Sequence, residues 1–220
     1  MILKKILNIF KYLFYYFFNN KKEYSFSTQI QFGLNYNLYF RKKLEKSNFY
    51  LEFGSGSSTL LAKKLKKKFF SIETDKNFYL FMKSKLGHRF NKCIIYHDMG
   101  PTKYMGYPLL PSYLIKKKIF SYAEKIKNFK KIYKVMPDLI LIDGRYRVFV
   151  TLMLIKYLNK ENKNIEIIID DFYRKDYQIL KKFVKINKFK RFGIIILNQK
   201  SMINTKLLEK YISINYKNKI

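Results

Sequence analysis

Cysteine is almost missing from this chain. The single thiol, Cys93, lies in the apolar run KCIIYH, which excludes a disulfide framework and points to the reducing cytoplasm and to a buried, unreactive thiol. Acid is the next scarcity: 15 Asp and Glu stand against 46 Lys and Arg, for a formal net charge of +31. So basic a chain invites a search for nucleic acid, yet its lysines are spread over most segments instead of forming one stripe. Scattered charge describes a solvated surface with a general attraction to anionic surfaces, and it makes nucleic acid the lesser expectation. No stretch offers the roughly twenty apolar residues that a membrane-spanning helix needs.

What is present begins with an N-terminal unit. In MILKKILNIFKYLFYYFFN (1–19), Ile2, Leu3, Ile6, Leu7, Phe10, Leu13, Phe14, Phe17 and Phe18 recur at helical spacing, with Lys4, Lys5, Asn8, Lys11, Tyr12 and Tyr15 opposite. The pattern predicts an amphipathic helix. Lys11 interrupts the apolar core that a cleavable leader requires, and bulky aromatics stand where small residues would mark cleavage. Two placements follow: packed on its own domain, or lying in the interface of an anionic membrane, peripheral at its inner face.

Residues 20–220 form the second unit. From residue 48 onward, short apolar runs alternate with amphipathic ones. FYLEF (49–53), KFFSIE (68–73), KCIIYH (92–97), DLILID (138–143), IEIIIDD (165–171) and RFGIIIL (191–197) predict strands continuous enough to be buried on both faces. Helices are expected over 58–67, 76–86, 112–128, 146–159 and 174–187. Such alternation predicts an α/β fold with a doubly wound, mostly parallel sheet. Three of the four prolines fall in DMGPTKYMGYPLLPS (98–112), a loop long enough to be functional.

The scarce acids are not placed at random. Glu52, Glu73, Asp98, Asp143, Asp170 and Asp171 stand at or just past the C-terminal ends of five successive strands, the edge where open α/β sheets bind ligands. Glycine is scarce too, at eight residues, and two of them sit in YLEFGSGSST (50–59). A strand ending at Glu52, then Gly54, Ser55 and Gly56, then Ser57, Ser58 and Thr59 opening a helix, makes a turn that lets a ligand approach backbone. Thr59 stands where a dinucleotide fingerprint needs a small residue, and an acid precedes the glycines. Pyrophosphate is therefore disfavoured, and a ligand with an ammonium group is favoured.

At these residues the sequence resembles the class I S-adenosylmethionine-dependent methyltransferases, Rossmann-like enzymes, over about residues 48–198. LEFGSGSSTLLAKKL is similar to their first motif, SIETD to the end of their second strand and YHDMG to that of the third. The resemblance implies a cofactor site in which Gly54, Ser55 and Gly56 line the methionine moiety, with Ser58 and Thr59 on the helix behind. It further implies that Glu52 holds the amino group, Glu73 takes the ribose hydroxyls and Asp98 sits near adenine.

LILIDGRYR and IIIDDFYR place Asp143, Asp170 and Asp171 at adjacent strand ends, an arrangement similar to catechol and macrocin O-methyltransferase-like enzymes, whose acids hold a magnesium ion. By that resemblance the three aspartates are both the metal ligands and, with Arg145, the catalytic set, and Asp143 also touches the cofactor. Where macrocin-type enzymes carry a further acid, Gly144 and Arg145 stand here, so metal-free use of the same acids is the competing expectation. Arg145, Arg147 and Arg174 would either pair with these acids or grip an anionic substrate. His97 is a candidate base or a wall of the site.

The expected activity is O-methylation of a sugar, glycan or small-metabolite hydroxyl. An RNA methyltransferase, a non-catalytic basic scaffold binding RNA or membrane, and an NAD-linked oxidoreductase remain as alternatives, and the oligomeric state is open.

Overall fold

The computed structural model describes residues 34–159, 161, 164–198 and 203–219. The helix expected over 1–19 lies outside them. Helix α1 (Leu34–Lys46) leads into strand β1 (Phe49–Phe53), α2 (Ser57–Lys64), β2 (Lys68–Glu73), α3 (Lys76–Leu86) and β3 (Ile94–Tyr96). A two-stranded ribbon, β4 (Thr102–Lys103) and β5 (Tyr107–Pro108), precedes α4 (Lys116–Ala123) and α5 (Ile126–Tyr133). The chain returns to the main sheet through β6 (Leu139–Ile142), α6 (Arg147–Leu158) and β7 (Ile165–Ile169), and ends with β8 (Asn187–Phe189), β9 (Phe192–Leu197) and α7 (Thr205–Asn215).

Seven strands form one sheet in the order β3-β2-β1-β6-β7-β9-β8. All neighbouring pairs are parallel except the two made by β9. The expected doubly wound sheet is therefore present, with one reversed strand near its far edge. Direction of winding changes at β1, which pairs with β2 on one side and β6 on the other. A crevice outside the carboxyl ends of strands at such a switch point is where this architecture binds ligands.

Side-chain alternation divides the core into two layers. Leu51, Phe53, Phe70, Ile72, Ile140, Ile142, Ile167 and Ile169 pack against the α4–α7 side, whereas Tyr50, Phe69, Leu139, Leu141 and Ile168 pack against α1, α2 and α3. Helix α6 supplies the thickest part of the first layer, being buried almost all round from Arg147 to Ile155.

Two expectations differ from the structure, and two helices had none. The segment 174–187 is not an α-helix: residues Lys175–Lys182 form a 3-10 stretch and β8 follows. Its buried residues, Tyr177, Leu180 and Phe183, recur every three positions, the period at which 3-10 side chains eclipse. The helix expected over 112–128 is two helices, joined by i→i+3 bonds from Lys125 to Tyr122 and from Lys127 to Glu124. Helices α1 and α7 had no sequence expectation; α1 buries only Phe40 and Leu44 completely among its described side chains, too few to mark a face.

Candidate active site

Two glycines bring the turns after β1 and β6 into contact at the switch point. Gly54 has φ +96, and a Cβ there would lie 2.6 Å from the backbone nitrogen of Gly144. A Cβ on Gly144 would in turn lie 2.4 Å from the Tyr122 hydroxyl and 2.9 Å from the Phe53 carbonyl. Both positions therefore demand glycine, one for conformation and both for space. Gly56 differs: its backbone is extended, and a Cβ there would meet nothing within 4 Å. Open space beside Gly56 is what a ligand lying along the turn needs.

Glu52 is turned away from the rim. It shares a face with Tyr50, is fully buried, and accepts hydrogen bonds from Tyr50 Oη at 2.7 Å, Ser58 Oγ at 2.6 Å and Thr59 Oγ1. Burial pushes its pKa up while these hydroxyls pull it down. Thr59 Oγ1 also accepts from the Gly56 N–H at 2.8 Å. Glu52, Ser58 and Thr59 thus brace the glycine turn from beneath.

Glu73 closes the opposite side of that turn. One carboxylate oxygen accepts from the Ser55 N–H at 3.0 Å and the Ser55 hydroxyl at 2.6 Å; the other accepts from the N–H groups of Thr74 and Asp75 at 2.7 and 2.8 Å. Desolvation raises its pKa against these four donors. Asp75 caps α3 through Asn77 and Phe78 and also accepts from the Gly106 N–H. Gly106 is pressed onto this corner, since a Cβ there would lie 2.3 Å from Thr74 Oγ1. The loop 98–112 therefore lies over the end of β2.

Asp98 is exposed at the end of β3. Desolvation lifts its pKa, but the Lys118 ammonium, the Gly100 N–H at 2.8 Å and the Tyr96 hydroxyl hold it below the usual carboxylate range. Next to it, His97 is buried, with Nε2 2.8 Å from the Lys118 carbonyl and its ring against Tyr122. Burial lowers its pKa to about 4, so it is a neutral wall of the site at physiological pH.

The three aspartates after β6 and β7 meet arginines. Arg147, the first residue of α6, reaches Asp143 at 2.8 Å and Asp171 at 3.2 Å, and donates to the carbonyls of Asp143, Gly144 and Asp170. Arg191 forks onto both oxygens of Asp170 and touches Asp171 at 2.7 Å, and Arg174 reaches Asp171 at 2.6 Å. Asp171 holds a left-handed backbone, φ 56, which aims its carboxylate back into this network. Three guanidinium groups around three carboxylates disfavour a divalent ion, because every oxygen of Asp170 and Asp171 already meets an arginine and the local charge is balanced. Among the described residues no group of three or more His, Cys, Asp or Glu side chains forms a metal site. The expectation of magnesium at Asp143, Asp170 and Asp171 finds no support in this arrangement.

Asp143 keeps some freedom. Its side chain is 33% exposed, and desolvation, with Asp170 and Asp171 nearby, raises its pKa to about 7 in spite of Arg147. Arg145 does not join the acid network. Its Nε donates to the Met105 carbonyl at 2.9 Å, and its guanidinium lies 5.5 Å from the centroid of Tyr107. Sequence reading missed Gly144, whose only signal was its position after a strand-end acid, and Arg191, which is remote in sequence from its partners. Cys93 is half-buried, and burial raises its thiol pKa.

No family model matches the chain, and no curated protein matches it. Among solved structures it is similar to a methyltransferase-like protein from Silicibacter pomeroyi, at 21% identity and a TM-score of 0.65 over 86% of this chain and 97% of that one. The chain thus has the Rossmann-like fold of a methyltransferase-like protein.

Proposed function

We propose that the protein is an S-adenosylmethionine-dependent methyltransferase acting without a bound metal on a hydroxyl of a sugar, glycan or small metabolite. The observation that carries this reading is the switch point between β1 and β6, where the Gly54–Gly144 contact and the open flank of Gly56 adjoin Glu73 and Asp143. Gly54, Ser55 and Gly56 would line the methionine moiety, Glu73 would face the ribose through the oxygen that Ser55 now holds, and Asp98 would stand beside the base. Glu52, Ser58 and Thr59 would act through the turn they brace.

Bound S-adenosylmethionine would supply a sulfonium methyl group, whose transfer to an acceptor oxygen breaks the C–S bond, forms a C–O bond and releases the hydroxyl proton. Asp143 would take that proton, since a base poised near neutrality suits the task. Arg147 would hold the Asp143 carboxylate in place. Calorimetric titration of the whole protein with S-adenosylhomocysteine and with NADH tests the reading: binding of the first alone supports it, and binding of NADH alone sends the fold to oxidoreductase chemistry. No described helix is long and apolar enough to cross a membrane. Contact with an anionic membrane surface rests on the net charge of +31 and is tested by flotation with anionic vesicles.

A further inference from the structure

Arg41, Arg147, Arg174 and Arg191 each pair with a carboxylate. Arg145 is partly buried one residue past Gly144, and among the described residues its contacts are a carbonyl and a ring. Its Nε is fixed on Met105 and its plane is steadied by Tyr107, which leaves the terminal Nη groups of the fork without a carboxylate partner. A second cation stands on the same ring: Lys219 Nζ lies 5.6 Å from the Tyr107 centroid and donates to the carbonyls of Pro108 and Leu110 at 2.9 and 2.7 Å. Desolvation followed by Arg147 lowers the pKa of Arg145, and desolvation followed by Lys103 lowers that of Lys219. Both are thus partly desolvated cations beside another cation. Glu73 and Asp143 act on Arg145 through space without forming an ion pair with it. The acids nearest to Arg145 are committed elsewhere, Glu73 to Ser55, Thr74 and Asp75 and Asp143 to Arg147, so the free end of its fork favours an anion from outside the protein.

We propose that Arg145 forms an anion subsite beside the Gly54–Gly144 contact, so that the methyl acceptor carries a phosphate or carboxylate. The identity of the acceptor rests on the methyltransferase reading, whereas the subsite itself does not. Arg145 binds the charged group as a fork, and Lys219 holds the loop 98–112 in place beneath the Tyr107 ring through the Pro108 and Leu110 carbonyls. The acceptor's hydroxyl would then lie deeper, toward Asp143, with its charged end held at the rim.

The test is titration of the full chain with inorganic phosphate and, separately, with acetate at constant ionic strength, followed by calorimetry. Saturable binding of either at one site per chain, weakened about tenfold or more by Arg145→Gln and less by Arg145→Lys, is the expected result, since a charge-assisted contact of this kind contributes about 1.5–3 kcal/mol. Preference for one of the two ions identifies the acceptor's charged group. Lys131→Gln, on the exposed surface of α5, measures non-specific attraction and should leave binding unchanged. Equal affinity in wild type and Arg145→Gln, with circular dichroism confirming that the variant is folded, overturns the subsite. Phosphate binding without binding of S-adenosylhomocysteine keeps the subsite and removes the methyltransferase reading; the reverse removes the subsite alone.

Discussion

Arg147 Nη2 lies 2.8 Å from Asp143 Oδ1 and, through the same guanidinium, Arg147 joins the ends of β6 and β7. Its side chain is only 10% exposed, so the charges it offsets have little water to turn to. Arg147→Met should destabilise the protein by about 3–5 kcal/mol, the usual cost of removing one partner from a buried ion pair. Urea unfolding followed by circular dichroism measures it; a loss within ~0.5 kcal/mol would mean that the acids are solvated without their arginine.

The two kinds of glycine in the first turn predict opposite outcomes. Gly54→Ala puts a methyl group into the Gly144 backbone at a positive φ, and should cost stability by roughly 1–3 kcal/mol or more. Gly56→Ala adds a methyl group to open space in extended backbone, and should leave the unfolding midpoint unchanged while weakening binding of S-adenosylhomocysteine. A Gly56→Ala variant that binds the nucleoside as well as wild type would show that the ligand does not lie along this turn.

Protonation of Asp143 and His97 acts on stability with opposite signs. Asp143 has a folded pKa raised to about 7, so its contribution is fully present below the unfolded carboxylate range and is lost as pH rises through 7. His97 has a folded pKa lowered to about 4, so the folded state binds fewer protons than the unfolded one between about 4 and 6.5, and stability rises with pH across that window. Asp143→Asn should remove the first trend and His97→Asn the second, as read from melting temperature against pH. In the methyl-transfer assay, a rate that climbs through pH 7 in wild type and loses that inflection in Asp143→Asn fits the proposed base.

Because the aspartates after β6 and β7 already face three guanidinium groups, magnesium should add nothing. Melting temperature and methyl transfer are expected to be unchanged by EDTA and by added magnesium. A rate that depends on the ion would require the arginines to move off their partners.

The parallel strands were legible because strands buried on both faces read as unbroken apolar runs, and the acids that follow them mark one edge. Parity along β1 was also in the sequence, yet Glu52 was expected at the rim although it shares a face with Tyr50, which is core. The pairing of Asp170 with Arg191 was not legible, since it joins the residue after β7 to the turn before β9, and only the reversed direction of β9 brings them together. The three-residue spacing of Tyr177, Leu180 and Phe183 was visible, but three and 3.6 are hard to separate over so short a stretch.

Equilibrium binding of S-adenosylhomocysteine to wild type and to Asp143→Ala and Gly56→Ala tests the central claim, a nucleoside site at the β1–β6 crevice. One site per chain, weakened by both substitutions with the fold intact, is the predicted result. No binding to the wild-type chain, or binding that neither substitution alters, would contradict it.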